Sequence, residues 1–205
     1  MNFLLEFYNL IFYQPISKLF FLFYQSFKDF GLAIFLLTLF IKIVLFPFDW
    51  KNAKEQEKLL KIQKEAKEIE RKFEGERKTK EILNLYKREK INPFLGFISL
   101  FIQVPILIAI YQVFTKSINQ FEPSFLGIFN LSKPDFFLAF VAILLQFIYF
   151  KVVSSKGTLY PSFVKMNFLF LPFLFLLLLS LPSVISLYFS FTYFLLIFQK
   201  FLFNV

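Results

Sequence analysis

Lys42 stands out chemically because it is the one charged residue in the apolar run 30–48. A helix of 19 residues is about 28 Å long, which is enough to cross the hydrocarbon core of a bilayer. Inserting an ammonium near the middle of such a helix costs about 2.5–3.5 kcal/mol, so these charges usually face a bundle interior or a watery cavity. The sequence therefore predicts a polar site within the membrane.

Two interpretations of Lys42 stay open on the sequence alone. Apart from Asp29, at the far end of its own span, the predicted spans hold no Asp or Glu that could neutralise it, so the ammonium needs water or a transient acidic partner. A hydrated groove open to the cytoplasm would supply water, and a passing polypeptide would supply a carboxylate. Alternatively the side chain snorkels to the headgroups, because it lies only about 9 Å from the cytoplasmic end of the helix.

Three predicted helices each carry a polar face. Thr38 lies one turn before Lys42, and positions 188 and 199 share a face because eleven residues return to within about 20° on a helix. The candidate groove residues are Lys42, Thr38, Ser99, Gln103, Tyr188, Thr192 and Gln199. Hydroxyl and amide groups also pack membrane helices through hydrogen bonds worth roughly 1 kcal/mol. Ordinary helix packing is therefore the competing interpretation for the uncharged members.

Composition limits the class of protein. Hydrophobic residues make up 58% of the 205 positions and charged residues 18%, which is too apolar for an ordinary soluble domain. The absence of Cys and His excludes disulfides and thiolate metal sites, and removes the commonest proton shuttle and metal ligand. We therefore expect no enzymatic chemistry, no metal and no cofactor.

The order of apolar segments predicts an all-α membrane protein with five transmembrane helices and a preceding amphipathic segment. Residues 1–28 mix apolar and polar groups and are expected to lie at the membrane interface, a spanning helix being the alternative. The uncharged stretch 168–198 would be about 46 Å long as one helix, so two spans that meet at Pro182 fit better. The five predicted spans are 29–48, 94–114, 136–153, 163–180 and 183–200.

Charge placement predicts the orientation and a soluble arm. Residues 49–92 hold 14 of the 23 Lys and Arg residues, so the positive-inside rule places this loop in the cytoplasm, the N-terminus outside and the C-terminus inside. Two apolar stripes separated by Gly75 predict a helical hairpin over 51–90. This hairpin is either a solvated loop or a docking arm for the ribosome or targeting factors. Its candidate docking residues are Lys61, Lys64, Arg71, Lys72, Arg77, Lys87 and Arg88.

The chain resembles the YidC/Oxa-type membrane protein insertases over nearly its whole length, and four segments carry the resemblance. The first core helix of that family is similar to residues 31–47, GLAIFLLTLFIKIVLFP. The approach to its second core helix is similar to residues 85–96, LYKREKINPFLG, followed by QVP at 103–105. Residues 182–188, PSVISLY, with Gln199 resemble the last helix, and residues 13–16, YQPI, resemble the amphipathic helix before the core.

The resemblance implies five core helices, a cytoplasmic hairpin, and a positively charged groove that opens to the cytoplasm and lipid but is closed towards the outside. Lys42 matches the position of the family's groove arginine, and Lys lacks the bidentate fork of Arg. The implied function is an insertase and chaperone of the cell membrane that accepts hydrophilic tails of nascent membrane proteins and releases their apolar helices into lipid. Further candidate partners are the ribosome, the signal recognition pathway and the Sec translocon, with no small-molecule substrate and no DNA.

Two other functions remain as alternatives. A small transporter or channel could use Lys42 as an anion or proton site, although the spans contain no acid beyond Asp29 at the start of the first one and the chain has no evident internal repeat. A structural subunit of a larger membrane complex would tolerate replacement of Lys42 by Leu without functional loss.

Overall fold

The computed structural model describes residues 2–90, 95–117, 121, 123–155 and 161–203. Some helical positions are described by backbone alone: 2, 52–53, 55–57, 59–61, 63–64, 95–101, 153–155, 161–169 and 203. The described residues form nine α-helices: α1 Asn2–Tyr8, α2 Gln14–Phe27, α3 Phe30–Lys61, α4 Gln63–Lys72, α5 Gly75–Arg88, α6 Leu95–Ser117, α7 Phe136–Ser155, α8 Pro161–Ser180 and α9 Ser183–Phe203. A π-helical turn, Asn9–Tyr13, joins α1 to α2, and two short strands, β1 Ser124–Phe125 and β2 Phe129–Asn130, pair antiparallel between α6 and α7.

Helix starts follow from local capping. Lys28 adopts a left-handed conformation (φ 54°) that ends α2. The next residue, Asp29, accepts a hydrogen bond from Leu32 N at 2.7 Å and so satisfies a free donor in the first turn of α3. Asp135 does the same for α7 by accepting from Leu138 N at 2.8 Å. Two aspartates thus fix where the chain reverses.

The core of the molecule lies among α2, α3, α6, α7, α8 and α9, and Leu131, which follows β2, also belongs to it. Helix α9 packs against both α7 and α3, and α2 packs against α3 and α6. Large side chains fill these contacts almost without solvent exposure, among them Phe20, Phe30, Phe114, Leu131 and Leu178. Other apolar side chains, such as Phe136, Phe173 and Phe201, point outward and are more than half exposed. An outward-facing apolar surface of this kind is expected where lipid replaces water.

One end of the bundle is closed by hydrogen bonds between turns that are distant in sequence. The second carboxylate oxygen of Asp29 accepts from Leu126 N in the β1–β2 turn at 2.7 Å. Ser183 N, at the start of α9, donates to Lys133 O at 3.0 Å, and Ser183 Oγ donates to Asn130 O at 3.2 Å. We use the name capped end for three parts together: the α2–α3 turn, the β-hairpin 124–130 and the turn before α9.

The β1–β2 hairpin lies directly against α3 at Gly31. A Cβ atom at this position would overlap the Cβ and ring atoms of Phe125. Only glycine lets the phenylalanine lie this close to the helix backbone. The sequence indicated neither the hairpin nor this contact, because two-residue strands carry no periodic signal and their register depends on partners far along the chain.

Helix α3 corrects one prediction. The expected span ended at residue 48, after Phe46 and Pro47, whereas the helix continues through Pro47 to Lys61. A proline inside a helix removes its own backbone hydrogen bond and crowds the preceding turn, but α3 continues on both sides of Pro47. The break comes instead at Ile62, before α4.

The described helices include two stretches that are long and apolar enough to cross a membrane. They are Phe30–Lys51, with a mean hydropathy of 2.4, and Ser183–Leu202, with a mean hydropathy of 1.5. Shorter apolar stretches are Ile102–Ser117, Phe136–Val152 and Phe170–Ser180. Helices therefore occupy all five predicted spans, and their crossing of the membrane stays a prediction.

Candidate functional site

Lys42 is buried, and Asp49 is its partner among the described residues. The Lys42 Nζ atom lies 3.5 Å from Asp49 Oδ2, with side-chain exposures of 9% for the lysine and 22% for the aspartate. The expectation that Lys42 has no nearby carboxylate is therefore wrong. Because α3 continues past Pro47, the step of seven residues from Lys42 to Asp49 returns the chain to within about 20° of the same face. Ending the helix at Pro47 hid this alignment.

Thr38 lies on the same helix face and is only 1% exposed. Its hydroxyl donates to Ile34 O, one turn back on α3, at 2.6 Å. Threonine commonly makes this bond inside helices because it satisfies the hydroxyl locally. The Thr38 donor is therefore already used, and only the lone pairs of its oxygen remain for another partner.

Gln103 and Tyr188 are brought together as the polar faces predicted. Gln103 Nε2 donates to the Tyr188 hydroxyl at 2.8 Å, which joins α6 to α9 across the bundle. Tyr188 is 1% exposed, and Gln103 is half-buried. A hydrogen bond between helices at low dielectric links the two elements more strongly than one in water.

Hydroxyl groups near Tyr188 are buried but incompletely paired. Thr192 Oγ1 lies close to the Tyr188 hydroxyl without hydrogen-bond geometry, and Ser186 Oγ has no partner among the described residues. Ser190, one turn after Ser186, donates to Ser186 O at 2.9 Å. An unmade hydrogen bond at a buried group costs about 1–3 kcal/mol, so the hydroxyls of Ser186 and Thr192 keep unused hydrogen-bonding capacity.

Tyrosines on α7 and α9 lie within electrostatic range of the Lys42 pair and of the Gln103–Tyr188 pair, and no pattern in the sequence indicated them. Tyr193 is within electrostatic range of Tyr188 and of Tyr149, whose ring centroid lies 5.7 Å from its own. Tyr149 is in turn within range of Asp49. Gln146, 7% exposed, lies beside the Tyr193 hydroxyl. Gln146 could have been found, because it is the one polar residue in 136–148.

The polar interior, as we name it, comprises Thr38, Lys42, Asp49, Gln103, Gln146, Tyr149, Tyr188, Thr192 and Tyr193. The structure does not add Gln199 to it. Gln199 is half-buried on α9, and within the described residues no hydrogen bond joins it to the others. Ser99 lies outside the residues whose side chains the structure describes. The remaining predicted groove residues lie on three packed helices, α3, α6 and α9.

Helices α4 and α5 form a separate small unit. They meet through the buried side chains of Ile62, Ala66 and Leu85, and Gly75, with φ +58°, allows the reversal between them. Arg88 at the end of α5 forms an ion pair with Glu65 near the start of α4, so the two helices run antiparallel. Hydrogen bonds to Glu65 and Glu89 raise the pKa of Arg88, which keeps its charge committed to this contact.

The candidate docking residues on these helices differ in the contacts that they make within the protein. Lys72 forms an exposed pair with Glu68 at 3.8 Å, and the Arg77 guanidinium lies 5.0 Å from the Phe73 ring centroid. Arg71 and Lys87 are exposed. Lys61 and Lys64 fall outside the residues whose side chains the structure describes.

Two observations limit the chemistry. The part of the chain that the structure describes holds no group of three or more acidic, His or Cys side chains that could bind a metal. A cavity of about 340 Å³ lies between α3, α7, α9 and the hairpin, and its lining is aromatic and aliphatic apart from Ser190. The polar interior therefore holds the charge and hydrogen-bonding groups, whereas this cavity offers apolar contact alone.

Comparison with known proteins assigns this architecture to a family. The family model described as "60Kd inner membrane protein" matches residues 22–205. A solved chain described as an active YidC insertase with its first transmembrane domain resolved superposes with a TM-score of 0.70 at 25% identity, covering 95% of this chain and 46% of the solved one.

Curated relatives agree with the family match. The membrane protein insertase YidC of Caulobacter vibrioides strain NA1000 / CB15N is 37% identical over 127 residues, which is 60% of this chain and 21% of that protein. The YidC of Clostridium perfringens is 32% identical over 137 residues, 60% of this chain and 58% of that protein. Membrane protein insertase YidC 2 of Staphylococcus epidermidis is 36% identical over 63% of this chain and 50% of its own length. The matched region thus spans about a fifth to just over half of these relatives.

Proposed function

The chain belongs to the 60Kd inner membrane protein family, which includes the YidC insertases, and from this premise we propose that it inserts other membrane proteins into the bilayer. The observation that carries the proposal is the polar interior, in which a buried lysine and a paired amide and hydroxyl lie in a bundle whose helices α3 and α9 are apolar enough to span a membrane. A polar interior of this kind is costly to maintain in lipid, and such residues usually serve function.

The physical task of an insertase is to lower a desolvation barrier. A hydrophilic tail crossing hydrocarbon loses hydrogen bonds to water, at several kcal/mol for each unpaired group. In the proposed mechanism the polar interior forms the wall of a hydrated groove. Lys42 attracts acidic residues of the client, while Gln103, Tyr188 and Thr192 exchange hydrogen bonds with its backbone. Ser99 and Gln199 are proposed to extend this surface along α6 and α9.

The energy for insertion comes from the client itself. Each Å² of apolar helix surface that leaves water contributes about 25 cal/mol. An apolar client helix released sideways into lipid therefore draws its polar tail through the groove without nucleotide hydrolysis. The protein would act by binding and by shortening the distance that the tail must travel through hydrocarbon, rather than by making or breaking bonds.

The proposed topology has five spans, formed by α3, α6, α7, α8 and α9. The Lys and Arg residues of α4 and α5 support a cytoplasmic position for those helices by the positive-inside rule, with the C-terminus on the same side and the N-terminus outside. The groove then opens to the cytoplasm, and the capped end closes it towards the outside. Residues 1–28 are proposed to lie along the membrane interface beside this body.

Helices α4 and α5 are proposed to receive partners that deliver clients. Arg71 and Lys87 present exposed positive charge, which suits the phosphate backbone of ribosomal RNA or an acidic protein surface. Lys61, Lys64, Lys72, Arg77 and Arg88 belong to the same proposed surface, although Arg88 is the most committed to internal contacts. The ribosome, the signal recognition pathway and the Sec translocon are the candidate partners.

Insertion in a purified system tests the proposal. The full chain is reconstituted in liposomes, and a client with one apolar helix and an acidic tail is followed by protease protection of the tail. We expect native protein and Lys42→Arg to insert it, and Lys42→Gln to insert it about tenfold more slowly, because the attracting charge is lost. Lys151→Gln is the matched control, since it removes an exposed cation from α7. Equal insertion with and without the native chain would refute the proposal.

A further inference from the structure

We infer that Asp49 is a built-in competitor for Lys42 that sets how strongly the site holds acidic clients. This inference rests on the proposed insertase function and goes one step further, because it assigns a role to a residue that does not itself receive the client. The Asp49 carboxylate lies seven residues, or just under two helix turns, beyond Lys42 on the same face of α3.

The geometry of the pair is loose. A hydrogen bond between an ammonium and a carboxylate normally has a length of about 2.7–2.9 Å, whereas Lys42 Nζ and Asp49 Oδ2 lie 3.5 Å apart. An ammonium has three donors, and Asp49 is its one partner among the described residues. The site is therefore occupied but not saturated, and a second carboxylate can approach the same nitrogen.

The side chains of Lys42 and Asp49 also differ in solvent exposure. The Lys42 side chain is 9% exposed and the Asp49 side chain 22%, so the carboxylate lies nearer the open side of the site. An incoming acidic residue meets Asp49 first and is repelled by it, and must then displace it from Lys42. Both effects weaken the binding of a carboxylate compared with a free buried ammonium.

This arrangement favours transient holding over permanent capture. A solitary buried ammonium would bind the first acidic side chain or anionic headgroup tightly, and an insertase must release what it binds. Asp49 remains available to take the ammonium back as the client leaves. Tyr149 on α7, which lies within electrostatic range of Asp49, is positioned to face the carboxylate while it is displaced.

Peptide affinity measures the competition without requiring insertion. The full chain in nanodiscs of neutral lipid is titrated with a fluorescent polar peptide carrying three Asp or Glu residues, and with a matched peptide carrying Asn and Gln. We expect Asp49→Asn to tighten binding of the acidic peptide by about tenfold and to leave the neutral peptide unchanged. Asp49→Glu keeps a carboxylate and should bind like the native chain.

Two control variants make the result specific. Glu89→Gln removes one exposed negative charge from the end of α5 and should not change either affinity. In a Lys42→Gln background, Asp49→Asn should change the acidic affinity by at most about twofold, because no ammonium remains to compete for. The same thermal midpoint for all variants would confirm equal folding.

The outcomes separate this inference from the proposed function. Unchanged or weaker acidic binding in Asp49→Asn overturns the inference, whether or not the native chain inserts clients. Tenfold tighter acidic binding together with no insertion by the native chain supports the competitor role of Asp49 and refutes the insertase. Tighter binding of both peptides indicates general opening of the site and also overturns the inference.

Discussion

Helices α3 and α9 each pass through two regions that differ in how completely their polar groups are hydrogen-bonded. At the capped end, both carboxylate oxygens of Asp29 accept backbone hydrogen bonds at 2.7 Å, and Ser183 uses both its amide and its hydroxyl. In the polar interior, within the part of the chain that the structure describes, Lys42 has one partner at 3.5 Å and the Thr192 hydroxyl makes no hydrogen bond. The same two helices are therefore fastened at one end and incompletely satisfied further along.

The two regions therefore have different roles, one in stability and one in binding. Hydrogen bonds that are completed within the protein order a region and leave no capacity for a ligand. Groups that are buried but unmatched contribute less to stability and keep that capacity. Substitutions at the capped end should therefore lower stability, whereas substitutions in the polar interior should change client handling with little loss of stability.

The largest expected effect comes from Gly31→Ala. The new Cβ would overlap Phe125, including its Cβ, which a change of rotamer cannot move. We expect the free energy of unfolding, measured by titration with SDS in mixed micelles, to fall by about 3 kcal/mol. In a Phe125→Gly background the same substitution should have little further effect. An equal loss in both backgrounds would show that the close approach is not the cause.

Asp29→Ala should have the next largest effect, about 2 kcal/mol. It removes the cap of α3 and leaves Leu126 N in the hairpin without its acceptor. Asp135→Ala is the matched control, because the carboxylate of Asp135 caps α7 through one hydrogen bond within the described residues, from Leu138 N, and we expect it to cost about 1 kcal/mol. Equal losses for the two variants would contradict the link from Asp29 to the hairpin.

Tyr188→Phe should have the smallest effect on stability and so sharpens the comparison. It removes the acceptor of the Gln103 amide without changing the packing of the ring, and we expect about 1 kcal/mol or less. Insertion of the acidic client by the reconstituted chain should nevertheless slow several-fold. A stability loss as large as that of Asp29→Ala, with unchanged insertion, would mean that the polar interior serves only to join helices.

The sequence predicted those parts of the structure that depend on neighbours along the chain. Apolar runs located the five long helices, Gly75 marked the turn between α4 and α5, and the faces of α6 and α9 placed Gln103 and Tyr188 on elements that meet. The contacts that were missed depend on partners elsewhere in the fold. The Gly31–Phe125 approach and the bond from Leu126 to Asp29 join residues more than ninety positions apart.

Asp49 was missed for a different reason. The interpretation of Pro47 as the end of a span placed the aspartate in a loop, where its direction is undefined. Proline weakens a helix by one hydrogen bond and some crowding, and the surrounding turns can maintain the helix despite both. Once α3 is continuous, the seven-residue spacing alone puts Lys42 and Asp49 on one face.

Because α3 is continuous, it can act mechanically as a rigid beam that is held at its first turn (the clamp) and can pivot about that turn. Asp29 and Gly31 fix its first turn, and Lys61 lies about 46 Å from Phe30 along the axis, with Lys42 about 18 Å from the clamp. A pivot of the beam about its clamp displaces Lys42 by about two-fifths of the distance moved by Lys61. If a partner moves the end of α3 next to α4 by a few ångströms, Lys42 therefore moves by about one ångström. This shift is comparable with the difference between the 3.5 Å separation of its ion pair and an ordinary hydrogen-bond length.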